Sequence, residues 1–218
     1  EVALQDLPVV FCMDRAGLVG SDGAVHHGFL DVAWLRAIPR MILAAPADAA
    51  ELSEALRFAV EAAAPVAMRY PRDEAPADLP GECPPFELGR SRTIRTGEGG
   101  AFLCYGATVE TAMRAADDLA AGGIDAGVVN ARFAKPLDAP AVTRLIDSGR
   151  PVVVCEDHAA AGGFGSAVLE LAAARGLNAS NVRLLGLPDR FIAHASRQEQ
   201  LEEVGLDAGH MAAVMRDL

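Results

Sequence analysis

The apolar runs Val9 to Met13, Met41 to Ala45, Ala101 to Tyr105, Ala126 to Asn130, Val152 to Cys155 and Val182 to Gly186 constrain this chain most. They are short, apolar at consecutive positions and separated by helical patterns. Successive side chains of an extended segment point to opposite faces, so a run without alternation is buried on both. Parallel sheets covered by helices on each side bury strands in that way. The expected fold class is therefore α/β, with mostly parallel sheets flanked by helices.

Local signals place the helices. Asp48 followed by Glu51 reads as a capping box, after which Leu52, Leu56, Ala59, Val60 and Ala63 share one helical face. Thr108 is expected to cap a helix carrying Val109, Met113, Ala116 and Leu119, which Gly122 and Gly123 stop. Asp138 and Pro140 open a third helix, and Ser196 with Glu199 makes another capping box near the C-terminus. Residues 73–87 are acidic and proline-rich and read as a linker between a first domain over 1–72 and a second over 88–218. Arg90 to Arg95 alternates weakly, as an edge strand does. The first domain holds too few elements for a closed core, and Glu1 to Asp6 looks like the last turn of a helix, so the chain is expected to be a fragment.

Composition excludes several classes of function. The chain has 218 residues, 51% hydrophobic and 22% charged, with a formal charge of −11. That balance is wrong for a disordered tail or a nucleic-acid-coating protein. Cys12, Cys83, Cys104 and Cys155 form no C-x-x-C pair, and buried reduced thiols are favoured over a metal site or a disulfide framework. No stretch approaches ~20 uninterrupted apolar residues, so a cytoplasmic protein without membrane or nucleic-acid partners is expected. An anionic substrate would have to be met by a few placed arginines.

Three segments carry residues suited to chemistry. Asp14 to Gly28 follows a strand and contains Gly17, Gly20, Gly23 and Gly28, two aspartates, Arg15, His26 and His27. Glycines let a loop approach a ligand closely, and Asp22 lies four residues from His26, near enough to act on one small substrate. The same composition also fits an ordinary turn-rich loop with solvated histidines. Met68 to Arg72 places Arg69 and Arg72 at the end of another strand, where a guanidinium fork suits a phosphate or merely pairs with Asp73 or Glu74. Ala161 to Ser166 imitates a phosphate cradle without its spacing, so strand-to-helix packing explains its glycines better. Glu156, Asp157 and His158, at the end of the Val152 to Cys155 run, read as residues that cap and solvate the turn before they read as catalytic.

These residues together resemble a known family. Asp14-Arg-Ala-Gly-Leu-Val-Gly20 with Asp22-Gly and His26-x-Gly28, Leu35-Arg-x-Ile-Pro39, Pro46-x-Asp48, Arg69-Tyr-Pro-Arg72, Arg132-Phe-x-Lys-Pro-Leu-Asp138, Gly162-Gly-Phe-Gly-Ser166 and Leu185-Gly-Leu-Pro-Asp189 occur in one order. The pattern is similar to the 1-deoxy-D-xylulose-5-phosphate synthases of the transketolase superfamily, over the whole of this chain and about the last third of theirs. The family usually carries Thr where Val25 stands and Gly where Asp73 stands.

The resemblance implies part of a transketolase pyrimidine-binding domain followed by a transketolase C-terminal domain. It implies a homodimer that uses thiamine diphosphate and Mg²⁺ to condense pyruvate with D-glyceraldehyde 3-phosphate, releasing CO₂, in isoprenoid and thiamine biosynthesis. It assigns His26 and Asp22 as catalytic, with His26 the better proton-transfer group, and Arg72 helped by Arg15 as the substrate phosphate site. Cofactor and metal would be bound mainly by residues upstream of Glu1, so the chain alone is not expected to be active. Alternatives are a subunit of a 2-oxoacid dehydrogenase or split transketolase, or a non-catalytic association module of the same fold.

Overall fold

The computed structural model describes all 218 residues. Two sheets organise them. The strands of the first are β1 (Val10–Met13), β2 (Ile42–Ala44) and β3 (Val66–Arg69). The second begins with β4 (Arg92–Arg95), β5 (Gly100–Tyr105) and β6 (Ala126–Asn130). After β7 (Phe133–Lys135), it ends with β8 (Val152–Ala159) and β9 (Val182–Leu187). The spatial orders are β1-β3-β2-β7 and β4-β6-β5-β8-β9. β1, β3 and β2 run parallel, as do β6, β5, β8 and β9, while β7 and β4 are antiparallel edges. Mostly parallel sheets are thus found, as the two-faced apolar runs require.

The helices are α1 (Asp31–Arg36), α2 (Ala49–Glu61), α3 (Thr108–Ala121), α4 (Ala139–Asp147), α5 (Phe164–Arg175), α6 (Arg197–Glu203) and α7 (Ala208–Arg216). Phe102 and Cys104 of β5 pack with Val109, Ala116 and Leu119 of α3 and with Met211 of α7 in one core. Across the same sheet Leu103, Tyr105, Val154, Phe164 and Val168 form a second. The two cores lie on opposite faces of β5 because neighbouring side chains alternate. No helix is long and apolar enough to cross a membrane.

Caps behave unevenly. Asp138 accepts from Ala141 N (3.1 Å), and Ser196 with Glu199 forms the reciprocal box. Asp48 accepts from Glu51 N at 2.7 Å, but the Glu51 carboxylate reaches past it to Ala47 N (3.0 Å), so the box is not closed. Thr108 is the first helical residue rather than the cap, and its hydroxyl donates to Cys155 O (3.0 Å), tying α3 to β8.

Other differences have simple causes. Val9 to Met13 is not buried on both faces: Phe11 and Cys12, which point to opposite faces of the edge strand β1, are both exposed. Cys104 and Cys155 are buried free thiols, while Cys83 is half-buried. β7 and the short α1 carry too few residues to show a period. Glu1 to Asp6 forms turns rather than helix, with Gln5 N donating to Glu1 O.

Between β3 and β4 no helix or strand forms, yet the segment is strapped down. Glu51, fully buried, accepts from Asn130 Nδ2 (2.6 Å), Arg132 Nε (3.0 Å) and Arg92 Nη1 (3.3 Å). Those two arginines donate onward to the carbonyls of Pro80, Glu82, Pro84 and Pro85, and Arg132 lies 4.2 Å over the Phe86 ring. Each buried charge is thereby paired, and carbonyls take up further guanidinium donors, the condition for keeping ions out of water.

Candidate active site

Parallel pairing puts the loops after β1 and β3 at one sheet edge. Met13 pairs with Arg69, and the pairing continues as Ala16 N donates to Tyr70 O (3.0 Å). Arg15 and Arg72 therefore leave neighbouring strand ends, although the sequence separates them widely. Gly17 N donates to Gly28 O (2.8 Å) and Gly28 N to Arg15 O (3.0 Å), closing residues 17–28 into a compact loop. Gly28 must be glycine here, since a Cβ would lie 2.3 Å from Arg15 O.

Two short turns, Gly20–Asp22 and Ala24–His26, then position Asp22 and His26. The Asp22 carboxylate accepts from Arg72 Nη1, and Arg15 Nε lies 3.4 Å from the same oxygen. Partial removal from water pushes the Asp22 carboxyl up, but the guanidiniums of Arg72 and Arg15 outweigh this and hold it below its ordinary value. His26 Nδ1 lies 2.9 Å from Asp22 O. A carbonyl only accepts, so Nδ1 carries the proton in the neutral ring and the Nε2 lone pair remains available. His26 is exposed, as a group that meets a substrate must be. The structure thus gathers Asp22, His26, Arg15 and Arg72 into one cluster at a sheet edge.

His27 differs from its neighbour. Its Nδ1 accepts from Val19 N (3.0 Å), and burial followed by the adjacent His26 lowers its pKa. It braces the loop. Gly20 N donates to the buried Gln200 (3.0 Å), and His194 Nε2 lies 2.7 Å from Ser21 O, so segments near the C-terminus also hold it. Asp73, beside Arg72, is turned to Arg197 (3.2 Å) and leaves Arg72 to Asp22.

Behind this cluster lies a buried layer that local sequence does not mark. Arg69 is buried rather than a surface arginine; it donates to Asp31 Oδ2 (3.0 Å), Asp157 Oδ1 (2.5 Å) and Gly28 O (3.0 Å). Glu156, Asp157 and His158 are buried in β8 and not solvated. Glu156 instead caps α5, accepting from Phe164 N (2.6 Å) and Gly165 N (2.8 Å) at its start. Burial pushes its carboxyl up to about 7 against those two donors. A Cβ on Gly163 would lie 2.1 Å from Glu156 Oε2, so strand-to-helix packing does account for these glycines. His158 accepts from Ala33 N (3.3 Å), and burial, then Arg69, lowers its pKa. The only local hint of this layer is three ionisable residues ending an apolar strand.

No group of three or more His, Cys, Asp or Glu side chains in the chain is arranged to hold a metal ion. These residues do not fit a Mg²⁺-diphosphate site.

The transketolase pyrimidine-binding domain family matches residues 1–77, and the transketolase C-terminal domain family matches residues 89–211. A 1-deoxy-D-xylulose-5-phosphate synthase of Magnetococcus marinus is 47% identical over 100% of this chain and 35% of its own length. One from Geobacter metallireducens is 44% identical over 99% of this chain and 35% of its own length. The chain thus spans about a third of the length of these relatives. Among solved structures, a split-gene transketolase described as an inactive beta4 tetramer superposes with a TM-score of 0.87 at 30% identity, covering 99% of this chain and 68% of that one. A Pichia stipitis transketolase shares the fold, with a TM-score of 0.75 at 19% identity, over 99% of this chain and 30% of that one. On its C-terminal-domain match, supported by the pyrimidine-binding match before it, the chain belongs to the transketolase family.

Proposed function

We propose that this chain is the C-terminal portion of a 1-deoxy-D-xylulose-5-phosphate synthase, condensing pyruvate with D-glyceraldehyde 3-phosphate to 1-deoxy-D-xylulose 5-phosphate and CO₂. Thiamine diphosphate and Mg²⁺ are held mainly by residues outside this chain, in a cytoplasmic homodimer. The carrying observation is the pair of guanidiniums, Arg72 and Arg15, bridged by Asp22 beside the exposed His26. Two converging arginines suit a phosphate dianion, which gains charge-assisted hydrogen bonds from both. The Asp22 carboxylate occupies the guanidiniums until the substrate phosphate displaces it. His26, with its Nε2 lone pair free, takes or returns a proton on the aldehyde side. Relatives of that name matching essentially all of this chain support the reading.

The likeness to a split-gene transketolase favours a second reading, one subunit of a divided enzyme. The test is an assay of the full polypeptide with cofactor, Mg²⁺, pyruvate and D-glyceraldehyde 3-phosphate and no lipoyl acceptor. Formation of 1-deoxy-D-xylulose 5-phosphate is expected; no product from pyruvate, together with transfer of a two-carbon ketol group to the same aldehyde when a ketose phosphate is added as donor, would establish the transketolase reading. The 218 residues by themselves are expected to give no thiamine diphosphate signal in circular dichroism.

A further inference from the structure

We infer that Arg69 and Asp157 are positioning residues, a buried ion pair through which strand β8 fixes the loop bearing Asp22 and His26. The inference rests on the proposed function only for where activity should be lost. Arg69 is 4% exposed and Asp157 1%, and they lie in the two different sheets. Every polar nitrogen of Arg69 is used: Nε by Asp31 at the start of α1, Nη1 by Asp157, and Nη2 by Gly28 O. Gly28 O is also the acceptor of Gly17 N, so Nη2 reaches the point where the loop closes.

Asp157 touches the loop a second time. A Cβ at Gly17 would lie 2.5 Å from Asp157 Oδ2, so the loop backbone rests on that carboxylate. Oδ2 itself is buried without a hydrogen-bond partner. Tyr105 lies against Arg69, 5.7 Å from ring centre to guanidinium, and Glu156 and His158 flank Asp157.

Stability is a poor reason for this arrangement. Removing such charges from water costs several kcal/mol per ion, and well-packed apolar residues of similar volume often do as well or better. Direction is what the ion pair adds. Arg69 leads to Arg72 along the same strand end, so one buried guanidinium holds both halves of the anion site in register with β8. A displacement of about 1 Å at a reacting centre can cost about 100-fold in rate.

The full polypeptide with Asp157→Asn, which keeps the shape and removes the charge, tests this. Arg69→Lys is the second variant, because an ammonium cannot serve Asp31, Asp157 and Gly28 O with the geometry of a guanidinium fork. Hydrogen exchange should rise in residues 14–28 and stay unchanged in α3 and α5. The kcat/KM for D-glyceraldehyde 3-phosphate should fall about 10- to 100-fold. That for unphosphorylated D-glyceraldehyde should fall less, since His26 moves with the loop but no phosphate contact is lost, and the melting temperature should drop while the variant stays folded, because weakening a buried pair is destabilising. Unchanged exchange in 14–28 in a folded variant, or kcat/KM values unchanged with both aldehydes, would overturn the inference. If the parent makes no 1-deoxy-D-xylulose 5-phosphate, the proposed function fails, and the exchange measurement alone decides whether Arg69 and Asp157 position the loop.

Discussion

Arg72 hydrogen-bonds the carboxylate of Asp22, fifty residues away in sequence, so an acid and a base from two loops meet at one sheet edge. Hydrogen bonds to charged groups are worth about 1.5–3 kcal/mol, or roughly 10- to 100-fold in affinity. Arg72→Ala is therefore expected to raise KM for the phosphorylated aldehyde at least about tenfold and to leave KM for pyruvate unchanged. Steady-state kinetics with each substrate varied separately decides; parallel rises in both constants would remove Arg72 from the phosphate site.

Asp22 competes with an incoming anion for the same guanidiniums. Its carboxyl is depressed, so its pairing is complete above the ordinary carboxylate pKa and is lost only as pH falls through the lower folded-state value. Asp22→Asn should bind sulfate about tenfold more tightly than the parent, with that ratio constant between about pH 6 and 8 and closing below about pH 4. Calorimetric titration across pH reads it. A ratio that varies through neutrality would show that another group controls the arginines.

Glu156 has the opposite sign. Its folded-state pKa of about 7 lies above the ordinary 4.5, so unfolding releases a proton between those values and stability falls as pH rises through them. The loss is on the order of 3 kcal/mol at 1.4 kcal/mol per pKa unit. The stability of the parent relative to Glu156→Gln should be greatest below about pH 4.5 and shrink progressively to about pH 7. Denaturant titrations giving a pH-independent difference would refute the assignment.

Glu51 neutralises Arg92 and Arg132 where the two sheets adjoin. Glu51→Ala strands both charges in the interior, and breaking a buried pair in this way costs about 3–5 kcal/mol. Urea unfolding should show it. A loss below about 1 kcal/mol would mean that water reaches the arginines.

Gly163 has a negative φ of −77°, so its replacement tests space alone. Gly163→Ala pushes a methyl group against Glu156 Oε2 and should cost about 1–3 kcal/mol, as overpacking generally does. Gly123→Ala is a contrasting control: nothing lies within 4 Å of the added carbon, and only the strain of its positive φ remains. A thermal shift near zero for Gly163→Ala would show that the Glu156 carboxylate and the nearby Ala159 carbonyl both yield to the added carbon.

Much of this molecule is legible in its sequence. Two-faced apolar runs announce parallel strands, because alternation along a strand is a local property. Asp138, Ser196 and Glu199 announce helix starts, because a cap bonds only to amides two or three residues away. The glycine-rich loop and Arg69-Tyr-Pro-Arg72 supply the types of residue gathered in the candidate site.

Tertiary structure alone decides which of those residues face each other and which are buried. Arg69 and Arg72 look alike in sequence, yet one is buried between Asp31 and Asp157 and the other is exposed beside Asp22. β7 follows β6 after only Ala131 and Arg132, yet it joins the other sheet. A strand's hydrogen-bond partner and a charge's counter-ion are set by which segments pack together, at separations such as the 88 residues between Arg69 and Asp157. Local patterns fix the elements and the chemistry available to them. Burial, which makes an unpaired charge costly, selects the pairs.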